Sequence, residues 1–504
     1  MGTFRSIQYL FIFVILLILA GCAKKESEEY SDSEIIARVG DRVITTSEFI
    51  RRAEYTPRPI YCRGDNYIHQ KIVLNSIIGE KLLALDLESQ QGFQPDEAFQ
   101  TYLLGRKEQA MRQLHRYELG KAKADPGNDL LINSLKNARR KYEVRYFSVP
   151  DSGSSQQVKE LLEQGHSFES IYSDLSGGQP LEDRTVSWFD NDLEIIRESL
   201  FANPLSRDSV LTPIDLGNGS YMFMKILGWS DEYSLSDRSN EILWNDVVEK
   251  VETRIGSQLY DDYVSDLMRG KTMQFEKATF IKLVNDLAEI YMLKGSQKED
   301  LLNQAIWDIE QRHMSHGELK QDIQYMNDVL FTFDGVAWTV KDFYDLLEKH
   351  PLVFRDQRFP MTEFGNQVRL AIADLIRDYS VTNDAYDLGY DKKLAVTKHV
   401  ELWKDHYYAD LYKRAIMRSV DPDVLQGMST IRFLRDVMNP VIDSLQVEYS
   451  DQIFINFTNF DSIKLTSVDM FVTQSNVPYP IMVPSFPKIY SDHVFDYGNK
   501  IETQ

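Results

Sequence analysis

Cysteine is almost missing from this chain: among 504 residues there are two, Cys22 and Cys62. No disulfide framework can carry the fold, and Cys62 has no activating base beside it in sequence, so a catalytic thiol is not expected. Positive charge is also in deficit, with 56 Lys and Arg against 77 Asp and Glu and a net charge of −21. Such a surface repels a phosphate backbone and argues against nucleic acid as a partner. The apolar run Leu10–Ala20 is eleven residues long, short of the roughly 20 that a spanning helix needs. There is no P-loop, no Rossmann glycine fingerprint and no Gly-x-Ser-x-Gly elbow, so neither a nucleotide nor another cofactor is expected. His399 and His406 stand seven residues apart, outside the i, i+4 spacing of a zinc helix, and no metal is expected either.

What is present is enough apolar surface for real cores. At 43% hydrophobic and 12% aromatic the chain escapes the composition of disordered proteins, and its length calls for two to four domains. Arg5 followed by Leu10–Ala20 fits the charged and apolar parts of a secretory leader, residues 1–21. The leader ends in Leu19-Ala20-Gly21-Cys22, which resembles a bacterial lipobox. That resemblance implies a lipidated Cys22 as first residue of the mature chain, an N-terminal lipid anchor holding it to a membrane. Arg5 is the one basic residue removed, leaving 55 basic against 77 acidic side chains, a net charge of −22. Residues 22–33 are polar throughout and read as a flexible tether.

The rest divides by pattern. Residues 34–140 open with an apolar hairpin across Gly40-Asp41, followed by Thr45-Thr46-Ser47-Glu48-Phe49, where Thr45 or Thr46 is a plausible helix N-cap. Leu74, Ile77, Ile78, Leu82 and Leu85 then recur at helical spacing up to a stop at Gly92. The same order returns in residues 331–420: Phe333–Phe343 lies without a gap on Val39–Phe49, Thr339 on Thr45 and Asp342 on Glu48. The distance from Phe to Gly is 43 residues in one copy and 46 in the other, which reads as an internal duplication. Between the copies, residues 141–230 mix strand and helix, and residues 231–330 are expected to be helical, with Val247, Val251 and Ile255 on one stripe. Residues 421–504 read as an extended, β-rich tail, ending in Pro478, Pro480, Pro484 and Pro487.

In residues 141–230 five pieces follow one another: Val144–Val149, Gly165–Ser176 with its Gly-x-x-Phe start, Ser187-Trp188-Phe189, Ser209–Ile214 and Ser220–Ile226. In order and spacing they resemble the parvulin-type (PpiC) peptidyl-prolyl cis-trans isomerase domain. The preceding Ile36–Gly92 segment resembles the helical chaperone region of the SurA and PrsA group of exported foldases. The implied fold class is α+β multidomain: mainly helical chaperone modules, internally duplicated, with an inserted parvulin-like α+β domain. Departures are as informative as matches. Tyr146 and Met222 stand at the catalytic positions where the family usually carries histidine, Leu175 where Cys or Asp is common, and Asp183-Arg184 where Gly-Gly is usual. Apolar substrate-binding positions can be filled by Val186, Leu193, Ile196, Phe201 and Met222, beside Trp188 and Phe189.

Rotation about an X-Pro bond faces a barrier of about 18–20 kcal/mol and needs no nucleophile. An apolar pocket can hold the ring and desolvate the amide, while losing hydrogen-bonding side chains removes part of the electrostatic stabilisation. The resemblance therefore implies weak or lost isomerase activity in a chaperone for unfolded or proline-containing exported polypeptides. With Lys24 after the lipobox, it implies an outer-membrane lipoprotein of the cell envelope facing the periplasm. A second expectation is a non-catalytic accessory lipoprotein of an envelope complex, which would bind one partner tightly and protect no client.

Overall fold

The structure, a computed structural model, describes residues 34–466 and 482–501 together with residue 470, apart from 191, 212, 292–323, 357–358 and 426. The leader, Cys22, the tether, Pro478 and Pro480 lie outside the described residues. Two compact units form: one from the chain up to His115 and from Asp266 onward, the other from Arg116–Ser265. The architecture is α+β, mainly helical with three small sheets.

The larger unit begins with a hairpin, β1 (Ile35–Val39) and β2 (Arg42–Thr45), whose inward residues Ile36, Val39 and Ile44 are buried. It is followed by α1 (Thr46–Glu54) and α2 (Tyr67–Ser89), and α3 (Glu97–Leu119) leads into the smaller unit. Thr45 is the N-cap of α1, its hydroxyl accepting the Glu48 N–H at 3.1 Å. From Ile72 to Ala84 helix α2 is buried on every side, which makes it central rather than amphipathic.

The smaller unit comprises α4 (Asn128–Ala138), β3 (Arg140–Val149), α5 (Ser152–Glu163), α6 (Phe168–Ser176), β4 (Asp183–Ser187), α7 (Glu194–Phe201), β5 (Ile214–Asp215), β6 (Tyr221–Asp231) and α8 (Asp237–Met268), the last leading back to the larger unit. Its sheet has the order β4-β3-β6-β5, antiparallel throughout. Alternation sorts the side chains into two layers. Phe147, Val149 and Phe223 point to α5 and α6. Tyr142, Val144, Val186, Met224 and Ile226 point to α4, α7 and α8, where Leu131, Leu200, Val247 and Val251 meet them. The five pieces that carry the family resemblance fall on consecutive parts of this one sheet and its helices.

In the rest of the larger unit, β7 (Met273–Phe275) and α9 (Lys277–Tyr291) precede a second hairpin, β8 (Val329–Phe333) and β9 (Val336–Thr339), then α10 (Val340–Leu347), α11 (Phe364–Asp387) and α12 (Leu394–Ser419). Hairpin, Thr-capped helix and long helix thus occur twice. In the second copy Thr339 and Asp342 form a reciprocal capping box, at 3.2 Å from the Asp342 N–H and 2.8 Å from the Thr339 N–H. Thr339→Ala is expected to cost about 1 kcal/mol, readable as a small fall in the chemical-denaturation midpoint of this unit with unchanged slope. Each hairpin gains a strand from a distant part of the chain. β10 (Ile453–Asn456) pairs with β1 and in turn with β11 (Asn499–Ile501), while β7 pairs with β8.

Two expectations need correction. The 231–330 stretch is not wholly helical, since β7 and the start of β8 lie in it. The 421–504 segment is not an extended tail: Pro422–Leu425, Thr430–Phe433 and Asn439–Glu448 are helical, with a π-turn at Leu434–Met438 between the last two. Its final part crosses the core without regular structure, burying Phe486, Ile489, Tyr490, Phe495 and Tyr497. Buried side chains of the N-terminal helices satisfy its backbone. Asn75 donates to the Asp492 and Val494 carbonyls at 3.0 Å each, Ser76 to Tyr490 at 3.2 Å, and Arg52 to Ser485 at 2.9 Å. Polar side chains that look misplaced on a central helix are what lets an irregular strap be buried.

Candidate functional site

The smaller unit has no cysteine and one histidine, His166, which is exposed between α5 and α6. No cysteine or histidine lies on the sheet itself, where Tyr146 and Met222 stand. Those two residues are brought together. Tyr146 on β3 pairs with Met224, and Met222 lies two residues along β6 on the same face, opposite Ser148 and Ile214. Diagonal neighbours of this kind are within reach of long side chains. Both are half-buried against the same apolar cluster as Leu211 and Leu216, which flank β5. This end of the sheet is an apolar lip with partial access to solvent.

Arg184 joins the lip. On β4 it pairs with Val144 of β3, which places it on the Tyr146 face by strand alternation. Its guanidinium is gripped by Asp192 through two bonds of 2.8 and 2.7 Å, with Asp190 3.6 Å away. Its hydrogen bonds to the Asp192 carboxylate hold its pKa above the ordinary value. The sequence reading noted Arg184 only as a departure from Gly-Gly. Counting two residues back from Val186 would have put it on the site face.

The remaining expected positions are spread over both faces of the sheet. Val186 and Trp188, and Ile196 and Phe201 of α7, are buried in the core layer between the sheet and α4, α7 and α8. Trp188 and Phe189 stand at the other end of the sheet: Ser187 pairs with Lys141, five residues before Tyr146, or about 16 Å along the strand. Leu175 is 56% exposed on α6, the helix that packs on the opposite face. Leu193 is 52% exposed at the start of α7.

At the far end Trp188 and Phe189 pack edge to face at 5.0 Å, with Phe189 37% exposed. Lys250 of α8 donates to the Trp188 carbonyl at 2.9 Å and stands over both rings. Nothing local in the sequence links residue 250 to residue 188.

The larger unit carries the other polar cluster. Arg52 grips Glu80 at 2.6 and 2.9 Å, His406 Nδ1 meets Glu80 at 2.7 Å, and the Ser485 hydroxyl lies 3.3 Å from His406 Nε2. Beside it Lys81 bridges Glu48 at 3.0 Å and Asp405 at 3.3 Å. Arg52 occupies both oxygens of Glu80, so this chain of contacts is an ionic clip between α1, α2, α12 and the buried strap. His399 instead accepts from Trp403 Nε1 at 2.9 Å, so the two histidines serve different neighbours. Cys62 is buried, and burial pushes its thiol up to about 12, which removes it as a nucleophile.

Solved structures of PrsA give partial likenesses. The peptidylprolyl isomerase PrsA from Bacillus anthracis is 12% identical and covers 38% of this chain and 96% of its own, with a TM-score of 0.20. Foldase protein PrsA from Streptococcus pneumoniae is 16% identical, covering 44% and 86% with a TM-score of 0.19, and PrsA from Bacillus cereus 12% identical, covering 47% and 93% with a TM-score of 0.18. No protein-family model and no curated protein matches the chain. Among the described residues no helix is long and apolar enough to cross a membrane.

Proposed function

We propose that the smaller unit is a polypeptide-binding domain of parvulin type with weak or lost prolyl isomerase activity. In this reading it belongs to an exported chaperone, lipid-anchored through Cys22 in the cell envelope, that holds unfolded or proline-containing client chains. The observation that carries it is the lip of Tyr146, Met222, Leu211 and Leu216 on one sheet face, half-open and apolar, with a fixed guanidinium beside it and no imidazole. Such a surface can desolvate an X-Pro amide and hold its ring. With a phenol hydroxyl and a guanidinium already held by Asp192 in place of two histidines, it stabilises the twisted amide less than a site with hydrogen bonds aimed at it. The adaptable Met222 side chain suits varied clients. Two copies of a helical module on the same chain would add avidity through effective concentration, and a holdase of this kind needs no nucleotide.

The test is prolyl isomerisation of tetrapeptides by the full chain, run beside suppression of aggregation of several unrelated unfolded proteins. Little catalysis with broad suppression supports the proposal. Strong catalysis that vanishes in Met222→Ala contradicts the weak-catalyst part. Absence of both, with one partner captured tightly, would support the accessory-subunit reading instead.

A further inference from the structure

The Trp188–Phe189 end of the smaller unit carries a cation with no counter-ion. Lys250 Nζ lies 5.0 Å from the Trp188 ring centroid and 5.4 Å from that of Phe189, and its hydrogen-bond partner is a neutral carbonyl. Among the described residues no carboxylate comes within ion-pair distance of it. Arg197 faces it from α7, and Arg254 stands one turn along α8 from it. Glu194 is taken by those two arginines, at 3.5 Å from Arg254. Asp190 attracts Lys250 only from farther off and lies 3.6 Å from Arg184. Burial, then repulsion from Arg197, pulls the Lys250 amine down to about 8 against the attraction of Asp190. Keeping this ammonium charged at neutral pH works against stability. An ammonium over two aromatic rings in a partly open corner, with no carboxylate partner among the described residues, is a candidate binding site.

The surroundings select the ligand. One ammonium, beside an Arg197 already paired with Glu194, calls for a single negative charge, while Asp190, Asp192, Glu194 and Glu198 would repel a multiply charged anion. The half-exposed Phe189 ring offers an apolar wall next to that charge. A carboxylate on a carbon that also bears an apolar side chain satisfies both, and the end of a polypeptide has this chemistry. We propose that Lys250 and Arg197, with the Trp188–Phe189 pair, form a subsite for the C-terminal carboxylate and last apolar side chain of an extended polypeptide. This rests on reading the smaller unit as a polypeptide-binding domain.

The experiment is fluorescence anisotropy of N-terminally labelled octapeptides ending in leucine, titrated with the full chain. Three peptides are compared: free acid, C-terminal amide, and amide with an internal glutamate. At pH 7 the free acid is expected to bind about tenfold more tightly than the amide, the scale of one charge-assisted contact. Lys250→Met should erase that difference between acid and amide, while Lys250→Arg keeps it. The free-acid advantage should fade as the pH climbs past about 8 in the native chain but persist in Lys250→Arg. Lys250→Met should melt no lower than the native chain, since it removes a half-buried charge; if it fails to fold, Lys250→Arg and the pH series carry the test. Equal binding of acid and amide overturns the subsite and leaves the polypeptide reading standing. Binding of the internal-glutamate peptide as tight as the free acid overturns the C-terminal assignment. Binding of none of the three removes both.

Discussion

Replacing Glu80 by leucine should destabilise the larger unit by about 3–5 kcal/mol, the cost of leaving a buried charge without its partner. Arg52 and Glu80 are both fully buried, and Arg52 has no water to turn to when the carboxylate is gone. His406 loses the same partner. The strap loosens too, because Arg52 also holds the Ser485 carbonyl. Adding Arg52→Met to Glu80→Leu should recover much of the loss, since a packed apolar pair avoids the desolvation that an ion pair must overcome. Chemical denaturation of the two variants against the native chain measures this, and a double variant no more stable than the single one would show that the clip is not acting as a charge pair.

The same group sets an acid limit. Burial alone would raise the Glu80 carboxyl, but Arg52 and His406 together outweigh it and hold it at about 2, below its ordinary 4.5. A carboxyl lowered in the folded state adds stability above its unfolded value and surrenders it as the pH falls through the folded one. The melting temperature of the native chain should therefore drop between pH 4.5 and pH 2, and the Glu80→Leu, Arg52→Met chain should lose less over that window.

The second large effect lies in the smaller unit. Gly256→Ala should destabilise it by about 3 kcal/mol, as overpacking a tight crossing does. Helix propensity alone would predict a gain of about 1 kcal/mol from the same change, so the sign decides between them. A Cβ on Gly256 would sit 2.6 Å from the Lys121 Cα and 2.7 Å from its nitrogen, and one on Gly120 would sit 2.5 Å from the Gly256 carbonyl oxygen. Backbone meets backbone there, and no side-chain rotation relieves it. Because α8 also carries Lys250, Val247 and Val251, the variant should disturb the layer under the Trp188–Phe189 pair. Thermal unfolding of the unit checks the sign, and an unchanged or raised midpoint would mean that the crossing can open at little cost.

Local signals in the sequence were sound where local physics decides. Thr45 and Thr339 cap their helices, Gly92 and Gly389 take left-handed backbone after the long helices, and alternation along residues 142–149 places Tyr146 on one face and Phe147 on the other. What could not be read depends on distant partners. β1 finds β10 more than 400 residues away, and residues 482–498 become a core strap because Asn75, Ser76 and Arg52 meet their carbonyls. Glu80 and Lys81 look like solvent-facing charges until α2 proves central. Motif order carries no distance, and it is the register of β4 on β3 that sets Ser187, just before Trp188, opposite Lys141, about 16 Å along the strand from Tyr146.

The account turns on the lip at Tyr146 and Met222. The most direct measurement is the binding of a labelled, permanently unfolded, proline-containing polypeptide to the full chain and to Met222→Asp, with thermal melts to confirm that both are folded. Losing the apolar contacts of one large side chain is worth about 1.5–3 kcal/mol, so the variant is expected to bind at least about tenfold more weakly. Undiminished binding by a folded Met222→Asp chain would contradict the account and place the client site elsewhere.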